Sequence, residues 1–272
     1  MIVYANAKIN LGLFVTRKRE DGYHDIETVF YPVPLYDIIE FRESDAFRLR
    51  TEGIVLDIGY RDNLVYKVYK VFKDKFDIPP VEVFMIKRIP SGAGMGGGSS
   101  DAAFFAKGLN EYFGIGLKEK ELEALVLKFG SDCPFFIENK PVWATGRGEV
   151  MEPLDLDLSG YAIVVVKPDV SVVTAEAYLN IKPLKRGYSL KDTVCQKDFS
   201  VWREKVTNDF ENYVFSKFQV VKQIKDKMYE NGALYASMTG SGSAVYGLFD
   251  RDANPDTNVF KGINGFIWKG EM

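Results

Sequence analysis

The chain of 272 residues predicts an α+β protein of two domains. Three observations carry that reading. Around residues 81–129 the predicted elements run strand, helix, helix, without the strand–helix alternation of a doubly wound sheet. Hydrophobic residues make up 46% of the chain, enough for a proper core. A turn-rich passage, Gly146-Arg-Gly-Glu149 with Pro153 after it, breaks the chain near its middle, so the domains are read as residues 1–150 and 151–272.

The first half opens on strands. Met1 to Lys8 starts directly as one, followed by Ala7 to Val15, Glu27 to Tyr31 and Asp37 to Phe41, all rich in β-branched and aromatic residues. Asp62-Asn63 is a helix start, and Leu64, Val65, Val68, Val71 and Phe72 follow at helical spacing. Val81 to Lys87 alternates as a strand. A glycine-rich loop and a helix from about Ser99 to Phe113 come next. Leu122, Leu125, Val126 and Phe129 share one face of a second helix, Lys118 to Phe129. The second half begins with a buried strand, Tyr161 to Lys167. Val221, Ile224 and Met228 make Phe218 to Glu230 amphipathic. Strands Leu234 to Met238 and Ala244 to Phe249 flank a second glycine turn.

Composition removes several function classes. A net charge of −3 gives no global attraction for nucleic acid or an anionic membrane. The chain has no run of 18 apolar residues and no signal peptide, so a cytoplasmic location is expected. Cys133 and Cys195 are too few for a disulfide framework, and with the single His24 they cannot build an ordinary zinc site. No G-x-S-x-G elbow accompanies that histidine.

The densest signal is Pro90-Ser-Gly-Ala-Gly-Met-Gly-Gly-Gly-Ser-Ser100, set between a strand and a helix. Glycine lets backbone N–H groups turn inward, and the helix that follows adds the positive end of its dipole. Such a junction binds phosphate. Ser99 and Ser100 supply hydroxyls that can cap the helix or reach a phosphate or its metal ion. A Walker A loop fails, because Gly98 stands where lysine is required. Gly92, Gly94 and Gly97 satisfy G-x-G-x-x-G, but no acidic residue on a second strand follows, which argues against a dinucleotide oxidoreductase.

Three further clusters carry polar groups. Lys8 and Asn10 lie two apart on a strand and face the same way, which suits a site and equally a solvent-facing polar stripe. Asp132, before Cys133, Pro134, Phe135 and Phe136, is a carboxylate against an apolar wall, suited to general-base work; an Asp capping a turn before proline fits the same residues. Met238-Thr-Gly-Ser-Gly-Ser-Ala244 makes an anion-binding nest or, taken alone, a hairpin turn.

Taken together these motifs resemble the GHMP kinase superfamily, which joins a lysine-bearing N-terminal motif, a glycine- and serine-rich loop and a late glycine motif in that order. The resemblance rests on Ala7 to Leu11, Asp21-Gly-Tyr-His24, Asp62 to Leu64, Pro90 to Ser100, Asp132 to Phe136 and Thr239 to Gly242, and spans nearly the whole chain. Met95 stands where the family usually has leucine, a volume-conserving change. The resemblance implies a two-domain GHMP kinase fold with its active site in the cleft between the domains. It implies ATP as co-substrate and Mg²⁺, with Lys8 and Asp132 catalytic. Retention of both argues against a binding module without transfer activity. ATP would be held by Pro90, Ser91, Gly92, Ala93, Gly94, Met95, Gly96, Gly97, Gly98, Ser99 and Ser100, with Asn63 and Lys87 near the adenine and Ser100 on the metal. Substrate would be held by Asn10, Tyr23, His24, Thr174, Tyr178, Gly240 and Ser241. Tyr23-His24 and Tyr178 match a cytosine site, with Tyr23 and Tyr178 sandwiching the base across the two domains and His24 reading its polar edge. That implies a small-molecule substrate derived from cytidine diphosphate. The alternative is a relative acting on another small alcohol, homoserine or mevalonate. A monomer or weak homodimer is expected.

Overall fold

The computed structural model describes residues 1–55 and 58–272. The chain forms two compact units, and they are not its consecutive halves. Unit 1 comprises residues 1–7, 35–91 and 96–140; unit 2 comprises residues 8–34, 92–95 and 141–272. The boundary near residue 150 therefore does not separate them. The physical reason is that two strands are longer than their turn signals suggest. β1 (Ile2–Lys18) and β2 (His24–Glu43) each contribute to both units.

In unit 1, β3 (Arg48–Gly53) and α1 (Leu64–Phe76) precede β4 (Val81–Lys87). β4 pairs antiparallel with the second half of β2 (Ile38 opposite Ile86) and parallel with β3. α2 (Gly97–Tyr112), α3 (Glu119–Val126) and the short α4 (Phe135–Glu138) complete the unit. α1 runs beside α2, and Phe105 of α2 meets Phe41 of β2 edge-on at 5.2 Å. Val65, Val68 and Phe72, on the face of α1 that its periodicity marked as apolar, are buried.

In unit 2, the first half of β2 pairs with β5 (Val142–Thr145), which pairs with β6 (Val150–Pro153). β7 (Ala162–Pro168) is the second strand of a separate sheet. Helices α5 (Thr174–Leu179), α6 (Leu190–Cys195), α7 (Phe199–Lys205), α8 (Glu211–Lys217) and α9 (Gln219–Glu230) follow. β8 (Tyr235–Met238), β9 (Val245–Phe249) and β10 (Gly265–Glu271) close an antiparallel sheet in the order β10-β7-β9-β8. β7 reads as a near-continuous apolar run because both of its faces are covered. Val221, Ile224 and Met228 of α9 join Val164, Val166 and Phe249 in this core. Among the described residues no helix is long and apolar enough to cross a membrane.

Candidate active site

The glycine-rich loop joins β4 to α2. Gly92, Gly94 and Gly96 all hold positive φ, at +62°, +72° and +71°. Ala93 and Met95 between them are buried. This alternation is available only to glycine at low cost, and it bends successive amides toward one side. The helix begins at Gly97, two residues earlier than the serines suggested, and its cap is Gly96 with no side-chain hydrogen bond. Ser99 and Ser100 thus lie within the first turn and do not cap it. The first amides of α2, those of Gly97, Gly98 and Ser99, have no intrahelical acceptor by helix geometry and offer a phosphate three donors at the positive end of the dipole.

The serines differ from the expectation in another respect. Ser100 is fully buried, and its hydroxyl donates to the Asn6 carbonyl at 2.6 Å. That places it inside unit 1. Among the described residues no group of three or more His, Cys, Asp or Glu side chains could hold a metal ion. Burial of the Ser100 side chain leaves it no open position for a metal ion in this arrangement.

Within unit 2 the middle of the loop rests on the late glycine turn. The Thr239 hydroxyl donates to the Gly94 carbonyl at 3.0 Å, and the Lys8 amide donates to the Met95 carbonyl at 3.0 Å. A Cβ on Gly94 would lie 2.0 Å from the Thr239 carbonyl oxygen, and one on Gly240 would lie 2.8 Å from the Gly94 Cα. The two glycine motifs read separately in the sequence are one back-to-back structure.

Lys8 is 3% exposed and its ammonium lies 4.6 Å from the centre of the Phe30 ring. The ammonium donates to Asn10 Oδ1 at 2.8 Å. The same oxygen accepts the Thr239 hydroxyl at 3.2 Å and the Gly240 amide at 3.0 Å, while Asn10 Nδ2 donates to Thr28 Oγ1 at 2.9 Å. Asn10 is buried and so fully engaged that it serves as the bracket holding Lys8 and the late turn, in place of the substrate contact expected of it. Gly240 contributes its amide to that bracket. Thr174 and Ser241 share a hydroxyl–hydroxyl bond of 2.9 Å.

Asp132 sits half-buried on a tight turn. The turn is fixed by the Cys133 amide bonding to the Gly130 carbonyl at 3.1 Å and the Phe136 amide to the Cys133 carbonyl at 3.2 Å. Phe135, Phe136 and Ile137 are buried behind it. Burial pushes the Cys133 thiol up to about 11, with a hydrogen bond from Ser99 opposing, so the thiol is protonated and inert.

His24 and Tyr178 stack at 5.0 Å between ring centres, with 17° between planes. Both belong to unit 2, so this pair does not bridge the units as expected. Tyr23 is exposed, with the Arg147 guanidinium 4.4 Å over its ring, while Tyr178 stacks on His24 and meets Phe210 edge-on at 4.9 Å. Burial, and then the Lys18 cation, hold the imidazole below its usual value, so at neutral pH it carries one donor and one acceptor.

The two residues assigned to adenine have other tasks. Asn63 is the N-cap of α1, its side chain accepting the Val65 amide at 2.9 Å. Lys87 is 3% exposed and its ammonium is bound by both Asp37 and Asp101. Sequence reading missed both carboxylates. Asp101 directly follows the serines and could have been suspected, whereas Asp37 reads as the start of a strand. One buried ammonium faces two buried carboxyls, and Asp101 Oδ1 has no partner. Burial, the largest influence, raises the Asp101 carboxyl; Lys87 opposes this and Asp37 adds to it. For Lys87 burial works against the ammonium, yet the two carboxylates raise it.

A folded-state carboxyl raised above its unfolded value loses stability as pH climbs through the interval between the two. Asp101→Asn is therefore expected to raise the melting temperature over wild type more at pH 8 than at pH 5, measured by thermal denaturation. An offset independent of pH would contradict this.

Unit 1 carries the glycine-rich start of α2 and Asp132 on its tight turn, unit 2 carries Lys8, and comparison with known proteins gives the class of protein. The family described as GHMP kinases N terminal domain matches residues 63–140, and GHMP kinases C terminal matches residues 190–257. The chain belongs to the GHMP kinase family and is an ATP-dependent kinase. It is 47% identical over 273 residues to 4-diphosphocytidyl-2-C-methyl-D-erythritol kinase of Parabacteroides distasonis, covering 100% of both chains. It is 47% identical to the kinase of the same name from Bacteroides thetaiotaomicron, again over 100% of each. A crystal structure of 4-(cytidine 5'-diphospho)-2C-methyl-D-erythritol kinase superposes with a TM-score of 0.84 at 30% identity, covering 99% of this chain and 98% of that one. Mevalonate kinase of Methanococcus jannaschii, at 15% identity and a TM-score of 0.72, shares the fold.

Proposed function

We propose that this protein transfers the γ-phosphoryl group of ATP to the 2-hydroxyl of 4-diphosphocytidyl-2-C-methyl-D-erythritol, a step of the methylerythritol phosphate route to isoprenoids. The His24–Tyr178 aromatic pair carries the choice of substrate, together with full-length similarity to kinases of that name. A neutral imidazole reads both donors and acceptors on a pyrimidine edge, and aromatic faces accept a base by stacking.

The chemistry follows from the groups described. Phosphoryl transfer asks for alignment and charge neutralisation more than for covalent help. Asp132 accepts the proton of the substrate hydroxyl as its oxygen forms a bond to the γ-phosphorus. The bond from that phosphorus to the β,γ-bridging oxygen breaks, and ADP leaves. Lys8, held by Asn10, supplies fixed positive charge for the developing phosphoryl and alkoxide charge. The loop and the first turn of α2 bind the triphosphate through backbone amides. Mg²⁺, when bound with the nucleotide, would neutralise charge on the phosphates.

ATP consumption against a panel of 4-diphosphocytidyl-2-C-methyl-D-erythritol, homoserine, mevalonate and galactose tests the reading. Turnover with the cytidine compound alone is expected; turnover with another alcohol instead would overturn the substrate assignment. His24→Ala is expected to raise the KM for the cytidine substrate by about tenfold or more, since stacking is worth roughly 1–3 kcal/mol per base. The KM for ATP should hold. An unchanged substrate KM would remove His24 from the site.

A further inference from the structure

The buried triad of Lys87, Asp37 and Asp101 has no part in the chemistry above, yet its members stand at the two ends of the glycine-rich loop. Lys87 is the last residue of β4, immediately before the loop. Asp37, on β2, accepts the amides of Arg88 at 2.5 Å and Ile89 at 2.9 Å through Oδ1, and binds the Lys87 ammonium through Oδ2. Asp101 lies in the second turn of α2, just past the amides that face the phosphates, and binds the same ammonium. One cation thus ties the strand where the loop leaves to the helix where it returns. All three residues are at most 4% exposed.

A buried ion pair is weak support for stability, because desolvating its members costs about as much as their attraction returns. Here one ammonium serves two carboxyls, and one oxygen of Asp101 is unpartnered. An arrangement so poor for stability calls for another use. We propose that Lys87 is a positioning residue: by clamping Asp37 and Asp101 it sets the spacing between the loop's ends, and so the geometry in which the loop amides meet the nucleotide phosphates. The proposal rests on the kinase reading above. Lys87 acts through the loop and does not touch nucleotide.

The test separates geometry from charge balance. Lys87→Arg keeps the positive charge and both acceptors, but its longer, planar head does not fit a slot sized for an ammonium. Lys87→Met with Asp101→Leu removes the ion pairs, leaving Asp37 with its two backbone donors. Melting temperature, KM for ATP and KM for the alcohol are measured for each. The expected result is a KM for ATP raised about tenfold, with the KM for the alcohol nearly unchanged, in a variant that melts within a few degrees of wild type. A KM for ATP within twofold of wild type in either folded variant would overturn the proposal. So would loss of the folded state in both by circular dichroism, which would make the triad a structural network. Failure of wild type to bind ATP would instead overturn the kinase reading, so the two failures are distinguishable.

Discussion

Asp132→Asn is expected to lower kcat by about a thousandfold while ATP affinity stays nearly intact, the middle of the range for removal of a general base. The substitution is nearly isosteric, and the turn that carries the residue is fixed by backbone bonds at Cys133 and Phe136 and by buried Phe135 and Phe136, none of which needs the carboxylate. These backbone bonds and the buried rings are therefore expected to hold the turn in the variant. What is lost is the acceptor for the hydroxyl proton. Single-turnover kinetics with a nucleotide-binding assay on the same preparation checks this. Loss of ATP binding alongside turnover would make Asp132 structural, and retained turnover would require another base.

Much of this site was legible because its chemistry is backbone chemistry. A run of glycines between a strand and a helix predicts amides facing a phosphate whatever surrounds it, and Gly92, Gly94 and Gly96 hold the left-handed conformations that the pattern implies. Helical periodicity located α1 and α9 for a similar reason, since an apolar face needs only local spacing to declare itself. The roles of buried polar side chains were not legible. Lys87 at the end of a strand looks like surface charge, and its partner Asp37 is 50 residues away in sequence. Asn10 looks like a substrate contact until Thr239 and Gly240, more than 200 residues on, are found bonded to it. Hydrogen-bond partners so far apart leave no local pattern. The same holds for the units themselves. β1 and β2 lie in one six-stranded sheet yet each contributes to both units, and a turn-rich passage near residue 150 says nothing about strands shared in that way. β10 escaped notice because Phe266 to Lys269 forms an edge strand that is only partly buried.

The largest effect on nucleotide binding is expected from a single methyl group at Gly94. Two penalties coincide there. At φ +72° an alanine is strained by about 1–2 kcal/mol. Its Cβ would also lie 2.0 Å from the Thr239 carbonyl oxygen, far inside van der Waals contact, and the obstacle is backbone. Relief requires moving either the loop or the Thr239–Gly240 turn. That turn donates the Gly240 amide to Asn10, which in turn holds the Lys8 ammonium. The strain thus reaches both the loop amides and the Lys8 ammonium, and on the proposed function Gly94→Ala should raise the KM for ATP about a hundredfold and lower kcat as well. Gly92→Ala is the control: its φ is equally left-handed, at +62°, but a Cβ there meets nothing within 4 Å. Its KM for ATP should rise several-fold at most. Equal losses in the two variants would mean that backbone conformation alone governs the loop; little loss in Gly94→Ala would mean that the back-to-back contact of the two glycine turns is not needed for nucleotide binding.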